Sequence, residues 1–252
     1  MTPRAHTARQ PTRDTTSAHP RAWHGRAQRI AGGAALLVAA LLAGCASSAP
    51  PAAWQARARS AIDSAVEAQL GGDARLEALD LARARDQVAR TGRAELMARV
   101  ELMHCAAHVA RLAFGPCAGY ERLRADAAPA EQAYAAHLNG ERLGAAEIAL
   151  LPAPQRAAAA AVASNTPPRG AVPAADANPL SRLIATAVLF RAGLASPAAI
   201  AAAVDTASTQ GWRRPLLAWL AVQVELAERA GDGVEAARLR RRMALATNTP
   251  PR

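Results

Sequence analysis

Residues 93–113, RAELMARVELMHCAAHVARLA, decide how this chain folds. Leu96, Val100, Met103, Ala107 and Ala110 recur at helical spacing on one face. Leu102, Cys105, Val109 and Leu112 recur on the opposite face. A helix apolar on two opposed faces must be covered from both sides, so this segment belongs in the middle of a helical stack or bundle. Val100, Met103, Val109 and Leu112 are therefore expected to be largely buried. Glu101, His104 and His108 lie in the polar arc between the faces, beside Arg111, and read as a solvated strip.

On either side, the flanking sequence reads as more helices separated by Gly, Pro, Asn and Asp. Ile62, Val66 and Leu70 stripe a helix from Trp54 to about Leu70, which Gly71-Gly72-Asp73 stops; Leu81, Ala84 and Val88 stripe the next. Beyond the central helix, Gly115-Pro116 breaks the pattern, and shorter helices are expected near 117–127, 129–139 and 143–163. Four prolines make 164–179 a linker or exposed loop. Four more helices follow near 180–194, 197–210, 213–230 and 234–246, two of them beginning at Pro179 and Pro197. The expected fold is all-α: about ten helices as stacked hairpins or a bundle. Its units are 54–163 and 180–246, with a tail at 247–252.

Composition agrees. Apolar residues are 51% of the 252-residue chain while aromatics are 3%, so alanine and leucine, both strong helix formers, dominate. All 30 basic residues are arginine and the formal net charge is +10. Six of those arginines fall within residues 1–44. Most of the charge beyond them reads as solvated helical surface.

That N-terminal segment is polar and arginine-rich up to residue 29, then apolar from Ile30 to Leu42, ending in Leu42-Ala43-Gly44-Cys45. The apolar run is too short to span a bilayer comfortably and suits the middle of a signal peptide. The four final residues resemble the lipobox of bacterial lipoproteins. The resemblance implies that 1–44 is a cleaved signal peptide and that Cys45 becomes a lipidated N-terminus anchoring the protein in a membrane. Residues 45–53 then form a tether. Ala46 in place of aspartate implies sorting to the outer membrane, facing the periplasm. An address outside the cytoplasm argues against nucleic acid as a partner, despite the charge.

Cys105 and Cys117 are the other two cysteines. In an oxidising compartment such a pair is usually a disulfide. Cys105 lies about 10 Å back from a helix end near Leu112. The five residues onward to Cys117 can span roughly 16 Å, provided the chain turns back at Gly115-Pro116.

No catalytic or cofactor motif stands out. Without lysine there is no Schiff base, Ser–Lys dyad or P-loop, and G-x-S-x-G, H-E-x-x-H and G-x-G-x-x-G are missing. Glu101, His104 and His108 sit at i, i+3, i+7 and carry half of a di-metal bundle motif, but no second Glu-x-x-His exists to complete it. No metal or cofactor is implied. Residues 219–239, with Trp219, Leu220, the Gly231-Asp232 turn and Ala236, resemble one degenerate tetratricopeptide unit. The resemblance implies a non-enzymatic envelope scaffold or adaptor that binds another envelope protein. The alternatives are an envelope enzyme or metal binder using Glu101, His104 and His108, or a protein that handles lipid or lipopolysaccharide.

Overall fold

The computed structural model describes residues 52–168 and 178–247. The expected signal peptide, Cys45, nearly all of the tether, residues 169–177 of the Pro-rich segment and residues 248–252 of the tail lie outside them. The described residues are all-helical, in hairpins packed side by side. Eleven α-helices run α1 Ala53–Gly71, α2 Ala74–Ala89, α3 Ala94–Ala110, α4 Ala118–Glu121, α5 Pro129–Leu138, α6 Ala145–Leu150, α7 Ala153–Ser164, α8 Pro179–Arg191, α9 Pro197–Gln210, α10 Arg213–Arg229 and α11 Gly233–Thr247. A 3-10 turn at Arg124–Asp126 follows α4.

Local chemistry sets these boundaries. Gly72 adopts φ +99°, open to a residue without Cβ, so the N–H groups of Gly72 and Asp73 can both reach the Ala68 carbonyl at 2.8 Å. The Asp73 carboxylate then accepts the Leu76 N–H at 2.9 Å and starts α2. Pro179 and Pro197 each occupy the first turn of a helix, behind the caps Asn178 and Ser196. The helical stretch expected over 143–163, punctuated by Pro152, is two helices. Pro152 keeps Leu151 extended at ψ 153°, which ends α6 and lets α7 start afresh.

The core is continuous across the Pro-rich segment. Residues of α1, α2 and α3 share one buried cluster with residues of α8, α9, α10 and α11. The central helix α3 packs against α1, α2, α5 and α8. Val100 and Val109 are buried on its two faces, as the pattern required. Met103 and Leu112 are only half-buried, a correction to the expectation for those two. For Leu112 the reason is that α3 ends at Ala110, so this residue belongs to the turn and takes the left-handed φ of +62°. Helix α8 is a second centre, with every residue from Leu183 to Leu189 buried. Trp219 of α10 is fully buried and donates its indole N–H to the Ala110 carbonyl at 3.1 Å, while Phe190 meets its ring edge-to-face at 5.7 Å. Trp212 likewise donates to Glu67 of α1 at 2.8 Å. Among the described residues no helix is long and apolar enough to cross a membrane.

Candidate functional site

Helices α2 and α3 form an antiparallel hairpin folded about Gly92, and several charged and polar side chains meet across it. Three charged side chains of α2 and α3 are central: Glu77, Arg85 and Glu101. The sequence pattern assigned Glu101, His104 and His108 to a solvated strip, and the structure corrects this. Glu101 is only 7% exposed and takes a two-pronged ion pair from Arg85, Nε to Oε1 at 2.6 Å and Nη2 to Oε2 at 2.8 Å. Its hydrogen bond raises the Arg85 guanidinium above its ordinary value. Glu101 fits there because residue 119 is glycine. A Cβ at that position would lie 1.9 Å from Glu101 Oε2 and 2.5 Å from its Cδ.

His104 and His108 turn instead to Glu77, one turn inside the start of α2. His104 Nε2–H donates to Glu77 Oε1 at 2.8 Å, and His108 Nε2 lies 3.6 Å from the same oxygen. The two Nε2 atoms are 3.4 Å apart, with the rings edge-to-face. The histidine side chains are 20% and 31% exposed, against 13% for Glu77. Arg214, from the distant helix α10, donates to Glu77 Oε2 at 3.0 Å and to the Gln69 carbonyl at 2.9 Å. Arg111 donates from Nη2 to His108 Nδ1 at 2.9 Å.

Electrostatics follow from this packing. Burial opposes ionisation of Glu77, but hydrogen bonds from His104 and Arg214 outweigh it and hold its carboxyl below the usual carboxylate range. Burial, joined by the charges of His104 and Arg111, pushes His108 down to about 4, so its ring is neutral at pH 7. Burial also lowers Arg111, whose Nε–H finds no partner among the described residues.

Beside this cluster is a cavity of about 340 Å³ lined by Arg85, Glu101, His104, His108, Arg122 and the Cys105–Cys117 bridge, among others. The two cysteines are joined as their reach allowed, with Cα atoms 5.8 Å apart. The left-handed Leu112 turn and Gly115-Pro116 bring the chain back. The bridge thus pins the start of α4, with Gly119, against the stretch of α3 that carries Glu101 and the histidines.

Among the described residues, one group of three or more His, Cys, Asp and Glu side chains could jointly hold a metal ion: Glu77, His104 and His108, with one ligand atom each, all within 4.8 Å of one another. Glu101 does not join it. Sequence reasoning missed Glu77, Arg85, Arg214 and Gly119. Hairpin register was a partial signal for two of them: folding about Gly92 brings Glu77 to within a residue of His108 and Arg85 to within two of Glu101. Nothing local marks Arg214 or Gly119. In comparisons with known proteins, no family model, curated protein or solved structure matches this chain.

Proposed function

We propose that this chain is a lipid-anchored protein of the bacterial cell envelope, attached through Cys45 and acting as a helical scaffold or adaptor for another envelope protein. The observation that carries the address is the Cys105–Cys117 bridge. Disulfides persist in oxidising compartments and are rare in the bacterial cytoplasm. It joins the lipobox-like Leu42-Ala43-Gly44-Cys45 in pointing outside the inner membrane. The outer membrane is the membrane proposed, from Ala46 after the cysteine. The adaptor role rests on stacked hairpins and on the tetratricopeptide-like turn between α10 and α11, an analogy of fold.

The test is Cys45→Ala in the native host. The variant should fail to incorporate labelled fatty acid and should leave the outer-membrane fraction. Normal labelling and membrane recovery of the variant would refute the anchor. Crosslinking of the wild type followed by mass spectrometry should return a reproducible envelope protein, and recovery of none would refute the adaptor.

A further inference from the structure

We infer that Glu77, His104 and His108 form a binding site for one divalent first-row transition-metal ion, with an open coordination position beside the α3–α4 cavity. Zinc bonds histidine nitrogen at about 2.0–2.1 Å and carboxylate oxygen at about 2.0–2.2 Å, so neighbouring ligands on a tetrahedral ion lie about 3.3 Å apart. Here the three separations are 2.8, 3.4 and 3.6 Å. The circle through atoms at those separations has a radius of about 1.9 Å, so an ion at bonding distance from all three rests just off their plane. No backbone has to move. Two histidines at i, i+4 on α3 and a carboxylate from α2 give an N2O donor set, which selects zinc-like ions over calcium and magnesium, whose ligands are oxygens.

The surroundings supply both support and an obstacle. Arg214 occupies Glu77 Oε2 and leaves Oε1 for the ion, the orientation that an outer partner of a ligating carboxylate imposes. His104 and His108 also line the cavity, so a fourth ligand, water or an anion, can enter from there. Arg111 is the obstacle. It donates to His108 Nδ1, which places the ring proton on Nε2, the atom that must coordinate. Metal binding moves that proton to Nδ1 and dislodges Arg111, whose nearby charge also repels the ion; the Nε2 proton that His104 gives to Glu77 must likewise shift to its own Nδ1 or leave to solvent. Arg111 is therefore a brake on affinity, and Arg111→Gln, which offers a carbonyl to accept from Nδ1–H, should release it.

The experiment uses the full-length protein, purified without a polyhistidine tag and stripped with chelator, titrated with Zn2+ by calorimetry. One equivalent should bind, with Ca2+ and Mg2+ failing to compete. Cobalt(II) in its place should give the visible ligand-field bands of a four-coordinate site. Glu77→Gln and His104→Ala should each weaken Zn2+ by more than the roughly 10–100-fold that loss of an outer partner costs, while Arg111→Gln should tighten it about tenfold. Zinc should raise the melting temperature of the wild type and of Arg111→Gln but not of the ligand variants. Should a ligand variant misfold, the wild-type stoichiometry, the cobalt spectrum and Arg111→Gln still decide. Failure of the wild type to bind one equivalent, or unchanged binding by folded His104→Ala, overturns the site and leaves Glu77 as an ion-pair hub between α2, α3 and α10. Neither result depends on the fate of Cys45→Ala.

Discussion

Gly119→Ala tests the packing of α4 on the charged seam. Its new Cβ would overlap Glu101 Oε2 at 1.9 Å and Cδ at 2.5 Å, so the carboxylate has to rotate and abandon Arg85. Removing one partner of a fully buried pair costs about 3–5 kcal/mol. Glu101 is 7% exposed but Arg85 is 41% exposed and regains water, which reduces the expected loss to about 2 kcal/mol. Replacing glycine by alanine in a helix returns about 0.5 kcal/mol, leaving a net destabilisation of about 1–2 kcal/mol. The decisive measurement is a double-mutant cycle with Glu101→Ala, read by urea denaturation and far-ultraviolet circular dichroism. Without the Glu101 carboxylate there is nothing for the Cβ to displace, so Gly119→Ala should become neutral or stabilising. The same cost in both backgrounds would show that Gly119 is not there to admit Glu101.

Peptide mapping of unreduced protein should show Cys105 and Cys117 in one linked fragment, and Cys105→Ser with Cys117→Ser should lose on the order of 3 kcal/mol; two alkylated thiols in the unreduced protein would contradict it. Val109→Ala, deleting two methyl groups from the buried side of α3, should cost about 1–3 kcal/mol, and a neutral result would mean α3 is not sandwiched. Burial holds His137 below its ordinary 6.5, against the opposing hydrogen bond to Gln155. The unfolded chain therefore takes up this proton first, and stability should fall as pH drops below about 6.5, by up to about 1.4 kcal/mol per pH unit for one proton. His108 adds a loss of the same sign on the way down to about 4. A flat unfolding free energy between neutral pH and that range would refute the buried neutral state.

The helices were legible because their boundaries are local chemistry. Proline, glycine and the Asp, Asn and Ser caps act within a turn of where they stand, and the two-faced pattern of α3 announced its central place. What joins the ends of the chain was not legible. Trp219 to Ala110, Trp212 to Glu67 and Arg214 to Glu77 link residues more than a hundred positions apart. No periodicity within α10 says which carbonyl or carboxylate its side chains will meet. The Pro-rich segment separates two helical stretches in the sequence, and buried residues before and after it belong to one cluster.

The polar arc of α3 failed for a more specific reason. Hydropathy patterns treat a charged face as one that water covers, yet a charged face can equally be covered by charges of the opposite sign. Helix α2 turns Glu77 and Arg85 toward α3, so Glu101 finds a guanidinium and the histidines find a carboxylate. The cost of removing Glu101 from water is recovered only because the pairing is two-pronged, and because Gly119 and the nearby disulfide let α4 close over it. Arg99 makes a further ion pair from α3, its Nε and Nη2 both donating to Oε1 of buried Glu131 of α5 at 2.9 and 2.6 Å. Helix α3 is thus sandwiched twice, by apolar contacts on two faces and by ion pairs between them. A seam of this kind positions its side chains far more tightly than solvent would. That is why two histidines and a glutamate stand within reach of a single ion here, although the sequence pattern gave the histidines to water.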